Sequence, residues 1–494
     1  MGKFFKKQSL KVSDKGKTRA AELTLRESIY PLCLVTILFF LWGFSYGLLD
    51  TLNKHFQNVL NITRARSSGL QAAYFGAYPL ASLGHANWIL RHYGYKAVFI
   101  WGLFLYGVGA LVAWPCLLHR SFGGFCAAIF IIGNGLGSLE TAANPYITGR
   151  LEYMQHGELG LMEFSVCGPP RYAEMRINLS QAFNGIGTVV APVLGSYVFF
   201  TQDPNDPSAL RNVQWVYLAI ACFVFLLAVR SSPIPEVTDA DMAFQAEETH
   251  ANDDQKPFFK QYRLFHAAFA QFCYTGAQIA IASYFINYVT ETRANTSSAL
   301  GAKFLAGAQG AFAMGRFVGV AIMRFVRPRW VFLVYLAMCI VFISPSITQR
   351  DNTGMSMLYI TLFFESICFP TIVALGMRGL GKHTKRGSGY IVAGVCGGAC
   401  VPPLLGAAAD LNKSTAKAMG VPLAFFIAAW SYALCVNFVP AYRDPADKFA
   451  TTEIGMGNRA VDEESSGKGE GVFEKEHVET SENIANPEIK DTKT

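Results

Sequence analysis

Long apolar blocks separated by short polar segments run through most of the chain, and clear examples are residues 29–49, 97–114 and 216–229. A helix rises about 1.5 Å per residue, so about 20 apolar residues cross the roughly 30 Å hydrocarbon core of a bilayer. The pattern therefore predicts an all-α integral membrane protein with twelve spanning helices. These are expected near residues 29–57, 69–90, 95–115, 122–149, 175–200, 212–230, 262–290, 300–325, 330–347, 356–377, 387–409 and 419–441.

A polar and acidic segment between the sixth and seventh predicted helices divides them into two sets of six. The tail of the chain is charged, rich in Gly and Ser and nearly free of aromatic residues, so we expect it to be disordered. The expected regions are a cytosolic basic N-terminus at 1–27, an N-terminal six-helix bundle at 28–230, a cytosolic linker at 231–261, a C-terminal six-helix bundle at 262–441 and a cytosolic tail at 442–494.

Two short motifs recur at corresponding positions of the two halves. The fourth helix has a glutamate, Glu140, five residues before a proline, and the tenth helix has Glu365 at the same spacing. A Gly-x4-Pro-x-Leu-Gly motif occurs in both the fifth and the eleventh helix. Parallel six-helix repeats of this kind are typical of transporters in which two bundles rock about a site near the bilayer midplane.

Composition and charge agree with a membrane location. Hydrophobic residues make up 52% of the chain and charged residues 16%, whereas soluble proteins carry about a quarter charged residues. The net charge of +7 is concentrated at the predicted helix ends, so it indicates topology and not binding to nucleic acid. Lys and Arg fill the N-terminus and the turns after the second, eighth and tenth helices, which predicts that both termini are cytosolic. We expect a multi-pass protein of the plasma membrane.

Four Asn-x-Ser/Thr sequences provide a second indication of topology. Asn61, Asn295 and Asn412 fall in loops of the opposite, outer face, where a glycan could be attached. Asn178 begins the fifth helix at the cytosolic side. Any single match of this kind also arises by chance, so glycosylation stays open for each site.

No motif for catalysis or metal binding is recognisable. The eleven cysteines are scattered, mostly within apolar runs and without a Cys/His cluster, so we interpret them as small packing residues. Nucleophile motifs and phosphate-binding glycine loops are also missing from the sequence. We therefore expect no cofactor, no metal site and no catalytic residue, and the protein is not expected to be an enzyme. No removable signal peptide is expected at the basic N-terminus.

Two acidic residues lie within predicted spanning helices, Asp50 in the first and Glu140 in the fourth. A charge at the centre of such a helix costs about 2.5–3.5 kcal/mol on insertion scales, so an intramembrane acid is a functional candidate by default. Burial without a cationic partner favours the protonated form of a carboxyl group. Asp50 and Glu140 are therefore the candidate proton-coupling residues.

Polar and aromatic side chains share one face in four of the predicted helices, because they recur at spacings of three and four residues. Hydroxyls, amides, carboxylates and aromatic rings suit a sugar, which offers many hydroxyl groups and apolar C–H faces. The alternative is that these side chains bond or pack against neighbouring helices. The candidate substrate-binding residues are Trp42, Tyr46, Asp50, Asn144, Gln181, Asn184, Tyr274 and Gln278.

Two basic residues of the eighth helix are weighed as partners for the acids. Arg316 is expected near the cytosolic end of that helix, as part of a structural ion pair or with its charge extended to the interface. Lys303 is expected to face water near the outer end. Neither residue is expected to pair with Glu140.

Six segments of the chain are characteristic: FLWGFSYGLLDTLNKHF, LGSLETAANPY, INLSQAFNGIG, FCYTGAQIAIASYF, GRFVG and FPTIVALGMRGLG. Together they resemble the fucose:proton symporter family of the major facilitator superfamily, over roughly residues 30–440. The resemblance implies a two-bundle, twelve-helix fold with alternating access and a central sugar site. It also implies key roles for Asp50 and Glu140 as acids, and for Gln181 and Asn184 as amides.

The chain departs from the bacterial L-fucose carrier at several places. Tyr46, Gly47 and Leu49 stand where the bacterial protein has asparagines among the residues before the first-helix aspartate. An aromatic residue expected in the seventh helix is replaced by Ala282, and Phe369 takes the place of a tyrosine. Because the acids are retained while the sugar-contacting groups change, the resemblance implies proton coupling more strongly than it implies one sugar.

These observations predict a proton-coupled symporter that imports a monosaccharide, L-fucose or a related hexose, by alternating access. The alternatives are a passive or sodium-coupled hexose carrier and a nutrient receptor built on a carrier fold. The expected partners are the sugar, the proton and the lipid bilayer, with no nucleic acid, and the expected state is a monomer. Two further candidates are Phe369 and Glu365, the latter facing the cavity or bonding a neighbouring helix.

Overall fold

The computed structural model describes residues 25–148, 173–200, 210–230, 257–380 and 383–451, and all regular elements in these ranges are helical. In the first half the helices are α1 (Leu25–Leu60), α2 (Arg64–Ser67), α3 (Gly69–Gly76), α4 (Ala86–Leu118), α5 (Phe122–Thr148), α6 (Ala173–Leu194) and α7 (Arg211–Arg230), with π-helical turns at Leu80–His85 and Gly195–Phe199. In the second half they are α8 (Tyr262–Thr292), α9 (Ser298–Met323), α10 (Pro328–Ser346), α11 (Asp351–Glu365), α12 (Cys368–Met377), α13 (Thr384–Ala393), α14 (Gly397–Asn412), α15 (Thr415–Ala418), α16 (Gly420–Phe438) and α17 (Pro440–Thr451), with 3₁₀ turns at Phe258–Lys260 and Gly394–Cys396.

The helices form twelve membrane crossings in two bundles of six, as the apolar blocks predict. Nine stretches of the described residues are long and apolar enough to cross a membrane, and one of them, of 55 residues, contains two crossings. These two crossings are separated inside α4 at Gly94, whose φ of 82° favours glycine. α1 and α8, with 36 and 31 residues, complete the twelve.

One large apolar core lies in each half, and the core of the first half extends to Ile279, Val392 and Val395 of the second. The described residues up to Ala450 belong to one compact unit. Between the halves, α6 packs on α9, α3 on α14 and α1 on α8. Within the first half α1 crosses α6 at very short range. A Cβ atom added to Gly43 would lie 1.8 Å from the carbonyl oxygen of Asn184, so only glycine permits this crossing. The crossing brings the polar faces of α1 and α6 together.

Polar contacts join the two halves on both sides of the centre. At the face where α1 ends, called the far face here, Arg64 forms salt bridges with Glu291 at 2.5 Å and Asp410 at 3.3 Å. On the other side, called the terminal face, the Ser388 hydroxyl donates to the backbone carbonyl of Thr141 at 3.3 Å. The halves are therefore in contact above and below the central site.

Three of the four Asn-x-Ser/Thr sequences lie at one face of the protein, and the fourth lies inside a helix. Asn61, Asn295 and Asn412 are exposed and all lie at the far face, where α1, α8 and α14 end. Asn178 lies inside α6 and is fully buried, with its amide nitrogen 3.5 Å from the Thr371 hydroxyl. The folded structure therefore leaves only three of these asparagines accessible within the described residues.

Two predicted boundaries require correction. The tenth span, predicted as one helix over 356–377, begins at Asp351 and is broken between α11 and α12. The tail, predicted to start at 442, is helical to Thr451, because Asp447 of α17 accepts hydrogen bonds from the buried Arg329. The basic N-terminus up to 24, most of the linker, at 231–256, and the tail from 452 lie outside the described residues, so those predictions stay untested.

Candidate functional site

A cavity lies between the two halves of the protein. Seven of its thirteen lining residues are aromatic or aliphatic, and the other six carry an amide, hydroxyl or charge. This mixed lining is typical of small-molecule sites. Both halves contribute. The lining residues are Trp42, Tyr46, Phe75, Tyr78, Glu140, Gln181, Asn184, Thr275, Gln278, Ile279, Arg316, Phe369 and Val395.

The first and fifth crossings supply one wall of the cavity. The Tyr46 hydroxyl donates a hydrogen bond to Oδ1 of Asn184 at 3.0 Å, across the close crossing of α1 and α6. One turn earlier, the indole nitrogen of Trp42 donates to the backbone carbonyl of Leu136 at 3.2 Å. Because this contact occupies the only donor of the indole, Trp42 offers the cavity an aromatic surface.

Glu140 is the carboxylic acid of the cavity lining. It is 6% exposed, and the side chains of Tyr78 and Asn144 lie beside it. No salt bridge among the described residues involves Glu140. A carboxyl group in this position has access to the cavity and to hydrogen-bonding neighbours but has no fixed cation.

Asp50 occupies a different place, at the contact between α1 and α8. It is 1% exposed and does not line the cavity. Its Oδ1 accepts a hydrogen bond from the Ser283 hydroxyl at 2.7 Å, and the backbone carbonyl of Ser283 accepts one from Asn53 at 2.9 Å. Asp50 therefore links the two halves directly.

Glu365 and Tyr274 are packed behind the cavity. Tyr274 donates a hydrogen bond from its hydroxyl to the backbone carbonyl of Glu365 at 2.5 Å, and both residues are at most 1% exposed. Neither lines the cavity. Phe369, four residues further along the chain, does line it.

Arg316 joins the halves inside the site. Its Nη1 donates to Oδ1 of Asn184 at 3.1 Å, to Oε1 of Gln181 at 3.4 Å and to the backbone carbonyl of Gln181. Its Nε donates to the backbone carbonyl of Ser366 at 2.9 Å, and the guanidinium lies 4.5 Å from the ring centre of Phe312. Every named hydrogen-bond acceptor here is an amide or a carbonyl.

Comparison with known proteins agrees with this arrangement. The family model of the Major Facilitator Superfamily matches residues 167–403. The chain is 32% identical to a glucose/galactose transporter of Brucella abortus over 412 residues, which cover 82% of this chain and 92% of that protein. It is 30% identical to the L-fucose-proton symporter of Escherichia coli over 434 residues, with coverage of 83% and 93%. The chain belongs to the fucose:proton symporter family of the major facilitator superfamily.

Solved structures of this superfamily share the fold. A transporter in the outward conformation has a TM-score of 0.62 at 29% identity, and the match covers 82% of this chain and 97% of that one. The proton:xylose symporter has the same TM-score at 11% identity, with coverage of 83% and 96%. The predicted two-bundle, twelve-helix fold of the family is therefore confirmed.

In this member of the fucose:proton symporter family, six of the predicted substrate-binding or coupling residues meet at the cavity, together with the additional candidate Phe369. These six are Trp42, Tyr46, Glu140, Gln181, Asn184 and Gln278. Four other candidates do not line the cavity in this structure, although Asn144 adjoins Glu140. They are Asp50, Asn144, Tyr274 and Glu365.

The main difference from the sequence prediction is Arg316. It was expected to extend towards the interface or to form an ion pair, but it is 2% exposed, faces the other half and has no salt bridge among the described residues. Lys303, by contrast, is exposed as predicted, with its ammonium 4.9 Å from the Tyr197 ring. Five further lining residues were not predicted from the sequence: Phe75, Tyr78, Thr275, Ile279 and Val395.

Proposed function

We propose that this protein is a proton-coupled symporter that imports a monosaccharide by alternating access. The observation that carries the proposal is the cavity between the halves, which combines Glu140 with amides and aromatic rings drawn from both bundles. The names of the relatives, a glucose/galactose transporter and an L-fucose-proton symporter, support the same substrate class.

The lining favours a neutral hexose or 6-deoxyhexose, with L-fucose and related hexoses as the first substrates to test. Gln181, Asn184 and Gln278 provide amide groups for hydroxyls. Trp42 and Phe369 provide flat apolar surfaces for the C–H faces of a sugar ring.

Glu140 is proposed as the residue that carries the coupled proton, because it combines access to the cavity with burial and lacks a fixed cation in the described structure. Asp50 is proposed to connect protonation with the contact between the halves. A neutral carboxyl group is far cheaper to bury than a charged one. Protonation of Asp50 therefore favours the closed contact between α1 and Ser283. Release of the proton favours separation of the two halves at this contact.

The terminal face is proposed to be cytosolic and the far face extracellular, in the plasma membrane. Positive charge at the turns of the terminal face supports this orientation. The exposed Asn61, Asn295 and Asn412 of the far face are compatible with it. We also propose that the protein acts as a monomer, since both walls of the cavity come from one chain.

Transport by the purified protein in proteoliposomes tests the proposal. L-fucose, D-galactose and D-glucose are supplied with and without an imposed pH gradient, membrane potential or sodium gradient. One proton with a neutral sugar moves one charge, so about 100 mV supplies about 2.3 kcal/mol. This corresponds to roughly 50-fold accumulation at about 1.4 kcal/mol per decade.

We expect accumulation of at least one of these sugars that depends on the proton gradient and is abolished by a protonophore. Uptake that only equilibrates would identify a passive carrier, and dependence on sodium alone would identify a different coupling ion. Saturable binding without any transport would favour the receptor alternative.

A further inference from the structure

The hydrogen bonds around Arg316 fix which end of the Asn184 amide is available to a ligand. Oδ1 of Asn184 accepts one hydrogen bond from Arg316 at 3.1 Å and a second from the Tyr46 hydroxyl at 3.0 Å. An amide has one accepting oxygen and one donating NH₂ group. Because both contacts hold the oxygen, the NH₂ group is the end that Asn184 presents to the cavity it lines.

Gln181 is oriented in the same sense, one turn earlier on α6. Its Oε1 lies 3.4 Å from Nη1 of Arg316, and its backbone carbonyl accepts from the same nitrogen. A guanidinium group has five donors and no acceptor. Any amide that turns towards Arg316 must therefore turn its oxygen, which leaves the NH₂ group for the cavity.

Arg316 is itself held in place from the second half. Nε donates to the Ser366 carbonyl at 2.9 Å, and the guanidinium lies over the Phe312 ring. A fixed donor fork orients its acceptors more strictly than a mobile ammonium group does. The orientation of two amides in the first half thus depends on one side chain of the second half.

We propose that Arg316 is a positioning residue of the sugar site, which turns the amides of Gln181 and Asn184 into hydrogen-bond donors. The bound sugar is then recognised at this wall through hydroxyl oxygens that accept. This inference rests on the proposed function in taking a sugar as the ligand. It goes further by assigning the hydrogen-bond direction at one wall and the residue that imposes it.

Arg316 would also be buried if it only held the two halves together, so the test must report hydrogen-bond direction. Replacing a sugar hydroxyl by fluorine leaves an acceptor and removes the donor, whereas replacing it by hydrogen removes both. A donating wall therefore binds the deoxyfluoro sugar more tightly than the deoxy sugar at the position that it contacts. If Arg316 only holds the two halves together, its replacement does not change the ratio of the two affinities.

The experiment is calorimetric binding of parent sugars and their deoxy and deoxyfluoro derivatives to the purified full-length protein in detergent. L-fucose, D-galactose and D-glucose are the parent sugars. In the wild type we expect at least one hydroxyl position where the fluoro derivative binds about 2- to 3-fold more tightly, the low end of the factor for one hydrogen bond, because carbon-bound fluorine accepts more weakly than oxygen. In Arg316→Gln this ratio falls to about one, because a glutamine permits either amide orientation.

Three variants complete the test. Arg316→Lys, whose ammonium also only donates, is expected to retain part of the ratio. Asn184→Asp keeps the contact to Arg316 but replaces the NH₂ group by an acceptor, so the ratio is lost at the hydroxyl position that Asn184 contacts, and this holds even if Arg316→Gln fails to fold. Arg329→Lys is the matched control, since this buried arginine bonds Asn437 and Asp447 away from the cavity, and it keeps the wild-type ratio.

The inference is overturned if the parent sugars bind but no position shows the ratio, if a folded Arg316→Gln retains it, or if Asn184→Asp retains it at every position. A wild-type protein that binds none of the parent sugars contradicts the proposed function itself. The two failures are therefore distinguishable in one set of measurements.

Discussion

Glu140 and Glu365 lie at matching places in the two halves, each five residues before a proline in the fourth crossing of its bundle, yet their surroundings differ. Glu140 lines the central cavity beside Tyr78. Glu365 is 1% exposed and lies behind the cavity wall. The repeat places both acids at the same level of the fold but gives only one of them access to a ligand.

The difference follows from a break in the second of the two helices. α5 runs without interruption to Thr148, whereas α11 ends at Glu365 and α12 begins at Cys368. Carbonyl groups at a helix end lack partners within the helix. Here Tyr274 bonds the Glu365 carbonyl and Arg316 bonds the Ser366 carbonyl. Beyond this break the second half presents the ring of Phe369 to the cavity, where the first half presents the carboxyl group of Glu140.

The largest expected effect concerns Glu140. Glu140→Gln keeps the size of the side chain but cannot release a proton, so accumulation of roughly 50-fold at about 100 mV should fall to simple equilibration. Exchange of labelled for unlabelled sugar should persist, because it needs no net proton movement. Uptake into proteoliposomes with both gradients measures the two activities, and normal accumulation by this variant would remove Glu140 from the coupling mechanism.

The fold was largely predictable from the sequence because apolar block length determines membrane crossing directly. Site residues were predictable where a polar side chain in a spanning helix has no evident structural role, as for Glu140. Arg316 was not recognised, since helical spacing does not reveal which face of α9 meets the other half. The small residues around it, in AMGRFVG, were an available signal, because they indicate a helix packed closely on its neighbours.

The second prediction concerns Phe369, which lines the cavity in the second half, as Glu140 does in the first. Phe369→Ala removes ring contact with the sugar, and aromatic contacts contribute about 0.5–1.5 kcal/mol beyond their buried area. The KM for sugar should rise about 3- to 10-fold while proton dependence is kept. Initial uptake rates over a range of sugar concentrations measure this. The conservative variant Phe369→Tyr should remain near the wild-type KM, and an unchanged KM in Phe369→Ala would exclude ring contact with the sugar.

The third prediction concerns the break between α11 and α12. Tyr274→Phe removes the hydrogen bond to the Glu365 carbonyl, which contributes about 1 kcal/mol. We expect the thermal midpoint of the purified protein to fall by about 1–2 °C, with KM and coupling unchanged, since Tyr274 does not line the cavity. A change in KM at constant stability would show that Tyr274 contacts the substrate.

The smallest effect on transport is expected for Glu365→Gln, the counterpart of Glu140→Gln. Within the described residues Oε2 of Glu365 has no hydrogen-bond partner. The hydrogen bonds that Tyr274 and Arg316 donate here go to the backbone carbonyls of Glu365 and Ser366, which the substitution keeps. Uptake per folded molecule, its pH optimum and the proton:sugar ratio should therefore stay within about twofold of the wild type, less than the loss of one hydrogen bond would cause. Stability should change little, because a neutral amide is cheaper to bury than a charged carboxylate but no longer attracts the nearby guanidinium of Arg316. Uptake and thermal unfolding of the same preparation, measured in parallel, distinguish a structural role of Glu365 from a role in proton coupling. A shifted pH optimum would make Glu365 a second proton carrier and would restore the functional equivalence of the two halves.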